Sequence, residues 1–294
     1  MSAPFTRRAI LSSALAIAAL HVTRADAASP RIDIDARLAE IEAKTHGRLG
    51  VGILDTQTGD FYGRRVNERF PLCSTFKLLA AAMVLERVDS GNETLDRRVT
   101  FGPDDVVDYS PATKEHAGKE GMTMAEICAA AITLSDNTAG NLMLSSFGGP
   151  KALTQFLRTL GDKATRLDRT EPELNDVKDG DPRDGTTPRA MTYTVQRLLL
   201  GNVLTKASEK QLVDWLTANK TGDARLKAGL PAGWRIGDKT GTCNNSTAND
   251  VAIIWPPERP PIIIAAFLAD STEPLEARNA ALADVARTAV AALS

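Results

Sequence analysis

Phe70-Pro71-Leu72-Cys73-Ser74-Thr75-Phe76-Lys77-Leu78-Leu79-Ala80 opens the longest apolar helical run in the middle of the chain, residues 74–88, which Ser90-Gly91-Asn92 ends. A lysine inside such a run is out of place unless it has a task. Lys77 stands three residues after Ser74, so its amine reaches the hydroxyl on the same helix face. The helix start leaves the Ser74 N–H without an intrahelical acceptor and favours negative charge there. A hydroxyl nucleophile beside an amine is the beginning of a serine acyl-transfer site.

Three further motifs follow in order: Ser135-Asp136-Asn137, Glu171-Pro172-Glu173-Leu174-Asn175 and Lys239-Thr240-Gly241-Thr242. They offer a second hydroxyl with a carboxamide, a carboxylate able to act as a base, and a cationic strand edge. Singly, each has an ordinary explanation: a helix lysine, a turn or cap, a surface acid, a strand end. Together, in this order and at domain-scale separations, they describe formation and hydrolysis of a serine ester.

Around that helix, residues 33–45 carry Ile34, Leu38 and Ile41 at helical spacing. Residues 48–55 and 60–65 read as strands joined by the turn Thr56-Gln57-Thr58-Gly59. A helix-rich middle extends to about residue 217, interrupted by one irregular segment, 167–188, crowded with Asp, Pro and Gly. Such a loop in a compact domain is usually functional. Strands resume at 234–239, 250–255 and 261–268, and a last helix covers 274–293. Strands and a helix at both ends predict an α/β (α+β) fold: an antiparallel sheet flanked by helices, from residues 30–66 and 218–294, with an inserted all-α domain over 67–217 that includes the loop 167–188. The site lies in the cleft between them.

Residues 1–27 read as an export signal: Arg7 and Arg8, an Ala-rich apolar stretch, and Ala25-Asp26-Ala27 at a small-x-small cleavage site. Thr6-Arg7-Arg8 fits a twin-arginine signal, and an ordinary secretory signal with two arginines fits equally. Either predicts a periplasmic protein. The chain has 35 Lys+Arg against 37 Asp+Glu and no basic block, which argues against nucleic-acid or anionic-membrane partners. The three histidines, His21, His46 and His116, have no metal-ligand spacing, so no metal or other cofactor is expected.

The chain resembles the class A β-lactamases over nearly everything after residue 30, in the four motifs and in Phe70-Pro71, Gly121-Met122-Thr123, Gly148-Gly149-Pro150 and Asp238. The resemblance implies hydrolysis of β-lactam antibiotics by a monomer without a stable membrane association. It makes Ser74 the nucleophile, with the N–H groups of Ser74 and Thr242 as oxyanion hole. Glu171 activates the deacylating water, aided by Asn175, and Lys77 or Glu171 takes the proton in acylation. Ser135 passes a proton to the leaving nitrogen. Asn137 binds the substrate side-chain amide, Thr240, Gly241, Thr242, Lys239 and Arg225 the substrate carboxylate end, and Tyr109 forms an aromatic wall. Asn141 and an Arg169–Asp184 pair hold the loop, whose Glu171–Pro172 peptide is expected to be cis.

Two features depart from the commonest pattern. Asp176-Val177-Lys178-Asp179-Gly180 lacks a proline often seen there. Cys73 and Cys243 flank the nucleophile and the oxyanion strand, and such a pair marks a subset of the family that includes carbapenem-hydrolysing enzymes. A Cys73–Cys243 disulfide and carbapenem turnover are therefore expectations, with Cys128 a buried free thiol. Two rivals remain for discrimination. A penicillin-binding peptidase shares three motifs but lacks the Glu-x-x-Leu-Asn loop. A β-lactam sensor domain needs a transmembrane signalling segment.

Overall fold

In the computed structural model, residues 1, 2, 33–178, 180–243 and 246–293 are described. The export-signal reading and Asp179 fall outside them. The sheet owes its position to an alternation inside strands that are buried on both faces. Strand β1 (Arg48–Asp55) sends Leu49, Val51 and Ile53 to one face. On its other face stand Gly50 and Gly52. A Cβ at Gly50 would fall 2.3 Å from the Phe70 ring, and one at Gly52 would fall 2.6 Å from Thr192 Oγ1. These glycines let the segment leading to Ser74 and a helix lie directly on the strand.

The remaining strands are β2 (Phe61–Arg64), the two-residue β3 (Phe70–Pro71), β4 (Arg98–Val99), β5 (Met122–Thr123) and β6 (Gly185–Thr186), then β7 (Arg235–Gly241), β8 (Ala248–Trp255) and β9 (Ile262–Ala269). The main sheet runs β2-β1-β9-β8-β7, antiparallel throughout. This order puts the two chain ends side by side: β1 pairs along its whole length with β9. Against one face pack α1 (Ile34–Ala43) and, at the other chain end, the helix Leu275–Leu293, through Leu38, Ile41, Leu282 and Val285. The other face, with Val251, Ile253, Ile263 and Phe267, meets the helices of the middle segment. Successive residues such as Ile263 and Ile264 thus enter different cores, the period of two expected of a pleated strand. Truncating Ile264, fully buried, to Ala would cost about 2–5 kcal/mol.

The middle segment comprises α2 (Phe76–Asp89), α3 (Met124–Thr133), α4 (Asn137–Ser146), α5 (Gly149–Thr159), α6 (Pro188–Leu200) and α7 (Lys206–Thr217); the C-terminal helix is α8. Their starts carry local signals: Thr123 and Glu126 form a capping box on α3, and the Asp136 carboxylate accepts from Ala139 N at the start of α4. Two sequence expectations are adjusted. The helix expected from Ser74 begins with a 3₁₀ turn, Cys73–Thr75, before α2. The loop 167–188 is not wholly irregular: Gly185–Thr186 pairs with Phe70–Pro71, and Glu173–Asn175 is a 3₁₀ turn. Among the described residues no helix is long and apolar enough to cross a membrane.

Candidate active site

Ser74 sits in the 3₁₀ turn at the head of α2, 8% exposed. Lys77, on the first turn of α2, is completely enclosed. Its Nζ donates to Ser74 Oγ (3.0 Å), Ser135 O (2.8 Å) and Asn137 Oδ1 (2.7 Å), and lies 3.0 Å from Glu171 Oε1. Burial pulls the amine below the usual lysine range, and the Glu171 carboxylate opposes that shift. Helix α4 comes close enough to press on the lysine because residue 140 is glycine: a Cβ there would meet Lys77 Cε at 2.9 Å.

Glu171 reaches the same point from the loop. It is 1% exposed; Oε1 accepts from Ser74 Oγ at 3.4 Å, and Oε2 from Asn175 Nδ2 at 2.5 Å. The loop is fastened at two places. Asn141 on α4 grips the Glu171 backbone twice, its Oδ1 accepting from Glu171 N (2.9 Å) and its Nδ2 donating to Glu171 O (2.8 Å). At the base, Asp184 accepts from Arg169 Nε (2.6 Å) and from the N–H groups of Asp168 (2.7 Å) and Arg169 (2.9 Å). The Glu171–Pro172 peptide is cis. Asn175 Oδ1 is buried and has no hydrogen-bond partner among the described residues, so an acceptor stands free beside Glu171.

The opposite wall is β7 with the turn before α4. Lys239 is fully buried behind this wall; its Nζ donates to Ser135 Oγ (3.1 Å) and Thr240 O (2.8 Å). Burial holds its amine well below the usual range, and the nearby Lys77 charge adds to that. Arg225 is also buried. Nε donates to Asn279 Oδ1 (2.9 Å), Nη1 to Gly241 O (2.8 Å) and Asn249 O (2.6 Å), and Nη2 to Thr242 Oγ1 (2.6 Å). Four of its five N–H bonds are thus directed at the protein. Asn137 is likewise engaged, through Lys77 and through Asp108 O (2.9 Å).

Ser74, Tyr109, Ser135, Asn137, Asn175, Arg225, Thr240, Gly241 and Thr242 line one cavity of about 350 Å³, with Thr221. Lys77, Glu171 and Lys239 lie just behind its walls, in contact with its lining. Tyr109, 63% exposed, stands at the mouth. Cys73, Tyr109 and Ser135 all have left-handed backbone (φ 45°, 59° and 59°), a conformation that L residues hold only where surroundings enforce it. A larger cleft of about 540 Å³, around Arg87, Glu93 and Arg97, holds no nucleophile–base pair.

Cys73 and Cys243 are disulfide-bonded, with Cα atoms 5.5 Å apart, and Cys128 is a buried thiol whose pKa burial pushes up. The bridge is one strap on the turn that carries Ser74. Another is Asn249 of β8, whose Nδ2 donates to Pro71 O (2.8 Å) and Leu72 O (3.3 Å). Asn249 and Thr221 were not expected from sequence. Thr221 lies outside any tight motif, and Asn249 falls one residue before the strand expected over 250–255, which in the structure begins at Ala248. Asp136, quoted as a motif residue without a role, accepts from Ala112 N, Thr113 N and Thr113 Oγ1 besides capping α4.

Residues 33–293 match the model of the Beta-lactamase enzyme family. The chain is 48% identical over 252 residues to Beta-lactamase L2 of Stenotrophomonas maltophilia, covering 85% of this chain and 83% of the relative. It is 43% identical to Beta-lactamase AST-1 of Nocardia asteroides, covering 98% and 96%. Among solved structures, an ancestral class A β-lactamase superposes with a TM-score of 0.87 at 60% identity, covering 88% of this chain and 100% of that one. The putative class A β-lactamase PenP from Rhodopseudomonas palustris gives 0.87 at 53% identity, covering 88% and 99%. With its buried Ser–Lys–Glu cluster, this fold and this degree of identity, the chain belongs to the class A β-lactamase family of enzymes.

Proposed function

We propose that this cavity hydrolyses β-lactam antibiotics through an acyl-enzyme on Ser74, released by water that Glu171 activates. One observation carries the reading. A single carboxylate oxygen, Glu171 Oε1, is within 3.4 Å of the Ser74 hydroxyl and 3.0 Å of Lys77 Nζ. The other oxygen is tied to Asn175, whose own carbonyl has no partner among the described residues. A base, a nucleophile and a free acceptor therefore meet at one point.

In acylation Ser74 Oγ gives its proton to Lys77, 3.0 Å away, or to Glu171, and attacks the lactam carbonyl. The N–H groups of Ser74 and Thr242 receive the oxyanion; such donors are worth roughly 3–4 kcal/mol each. Ser135, under the Lys239 ammonium at 3.1 Å, passes a proton to the departing nitrogen. The substrate carboxylate binds at Thr240, Gly241 and Thr242, attracted by Lys239 and by the remaining N–H of Arg225. Asn137 and Asn175 meet the substrate side-chain amide, and Tyr109 walls the mouth. The protein acts as an exported periplasmic monomer, in keeping with the reading of residues 1–27. Turnover of a chromogenic cephalosporin, with intact-mass detection of the Ser74 adduct, tests the reading; a protein that is acylated and stays acylated would be a sensor instead.

A second reading concerns range. The Cys73–Cys243 bridge links the residue before the nucleophile to the residue after the oxyanion strand segment, so it clamps two walls of the cavity. Carbapenem turnover is assigned to this clamp, and imipenem hydrolysis with and without the bridge tests it.

A further inference from the structure

A second cleft, of about 440 Å³, shares no lining residue with the cavity of Ser74. It lies between α6 and the turn that follows α5. Ala190, Tyr193, Thr194 and Arg197 recur at helical spacing, so one side of α6 forms a wall. The turn Leu160 to Ala164 forms the other. Asp162 ties the two together. Its buried carboxylate accepts from Thr194 Oγ1 (3.0 Å) across the cleft, and from Ala164 N (2.9 Å) and Thr165 N (2.8 Å) on its own side.

Three cations, Lys163, Arg189 and Arg197, line this cleft, and Asp162 is its only acid among the described residues. The three form no ion pair among the described residues, and the two guanidinium groups are held by neutral acceptors instead. Arg189 Nε donates to Asn67 Oδ1 (3.1 Å), and its Cζ lies 4.4 Å from the centre of the Phe61 ring. Arg197 Nη1 donates to Leu160 O. Gly161 makes room for it, since a Cβ there would come within 3.0 Å of Nη1. Lys163 is exposed, and its amine has no partner among the described residues. Three positive charges against one negative leave an excess of two. The start of α6 adds its dipole but not its N–H groups. Residue 188 is proline, Arg189 N donates to Val66 O (3.0 Å), and Ala190 N donates to Thr187 Oγ1 (3.2 Å). An anion in the cleft is therefore held by side chains. Tyr193 gives the cleft a flat apolar surface, fixed by stacking on Phe61 with ring centroids 5.4 Å apart.

We propose that this cleft binds a small aromatic dianion, with its ring against Tyr193 and its acidic groups at Lys163, Arg189 and Arg197. The charge excess sets the valence of the ligand. The planar guanidinium groups suit the oxygens of a carboxylate, sulfonate or phosphate. Both are anchored before the ligand arrives, so little side-chain freedom is lost on binding. A small inorganic anion would use only the charges, and a neutral arene only the ring. The site is separate from the chemistry at Ser74, and binding involves no covalent step.

The probe is naphthalene disulfonate, titrated calorimetrically into the protein at neutral pH and low salt. It should bind about tenfold more tightly than naphthalene monosulfonate or sulfate, the worth of one hydrogen bond to a charged group, and added sodium chloride should weaken it. Lys163→Glu removes no contact among the described residues and should weaken disulfonate binding about tenfold. Adding Arg189→Glu should abolish it. KM for a chromogenic cephalosporin should stay unchanged in both variants. If the double variant does not fold, Lys163→Glu decides alone. No binding at millimolar probe, equal affinity for disulfonate and monosulfonate, or unaltered binding by Lys163→Glu overturns the proposal. A disulfonate that competes with the cephalosporin and is indifferent to Lys163→Glu occupies the cavity of Ser74, which overturns it equally.

Discussion

Lys77 and Lys239 are both completely enclosed, yet their surroundings differ. Lys77 has a buried carboxylate 3.0 Å away. Lys239 forms no ion pair among the described residues; its nearest acceptors are the Ser135 hydroxyl and the Thr240 carbonyl. Burial lowers both amines, but Glu171 offsets the shift at Lys77, while the Lys77 charge deepens the one at Lys239. One half of the site is balanced by the protein's own charges. The other half has no direct ion pair, although the charges of Asp238 and Asp250 act on its lysine, and on the proposed reading an anionic substrate completes it. On that reading the half that does the chemistry is preorganised, and the half that selects the ligand draws on an unfinished charge balance.

The largest expected effect breaks the balanced half. Glu171→Ala should lower kcat by about 10²–10⁴-fold, the usual worth of a general base, and accumulate a benzylpenicillin adduct by intact mass. Ser74→Ala should show no adduct. Rapid steady turnover by Glu171→Ala would remove its assigned role. Next, Lys77→Met should destabilise the fold by about 3–5 kcal/mol, because it strands a buried carboxylate. Lys239→Met removes a buried cation that forms no direct ion pair among the described residues and should be neutral or stabilising by about 1 kcal/mol. Urea titrations of the two variants sharpen the comparison, and equal losses would refute it.

The loop and the disulfide come after these. Cys243→Ser should fold and keep penicillin hydrolysis with a loss of about 2–4 kcal/mol, below the chain-entropy limit for so long a closed loop, and should lose whatever carbapenem turnover the native protein shows. Denatured without reductant, the protein should titrate one thiol, Cys128; three would refute the bridge. Arg169→Ala leaves Asp184 with its two backbone donors and without its cation, so about 2 kcal/mol is expected at this partly solvated site. Deacylation should slow more than acylation in a rapid-quench comparison.

The smallest effect is the pH dependence of two buried acids, Asp238 of β7 and Asp250 of β8. The folded-state pKa values of Asp238 and Asp250 lie above their unfolded values. Their stabilisation is therefore fully present below the usual carboxylate range and is lost as pH rises through the raised folded-state values. The Tm of the wild type should fall along that limb more steeply than that of Asp250→Asn; parallel curves would show that the pair does not titrate there.

Much of the site is legible in the sequence because its parts are local. Ser74 and Lys77 are three residues apart on one helical face, Glu171 and Asn175 four apart in one loop, and Thr240 to Thr242 run along one strand. Backbone geometry at those spacings already brings the groups together, and strand and helix periodicity at both chain ends dictates a sheet made from the two termini. The resemblance adds what spacing cannot, such as the Asn141 clamp on Glu171 and the pairing of Cys73 with Cys243.

What only the tertiary structure decides is where long-range neighbours direct their hydrogen bonds. The resemblance gives Arg225 to the substrate carboxylate, but β7, Thr242, β8 and α8 take four of its five N–H bonds. Lys239 reads as a strand-edge charge in the cavity, but the wall encloses it behind Ser135. Thr221, Asn249 and Asp250 carry no motif, because their contacts come from β7 lying against β8 and from the segment 219–226 reaching both strands. The sequence determines the reacting groups and the layers that carry them. The electrostatic balance of the site is settled only by packing, since burial and the distance to a counter-charge are properties of neighbours far apart in the chain.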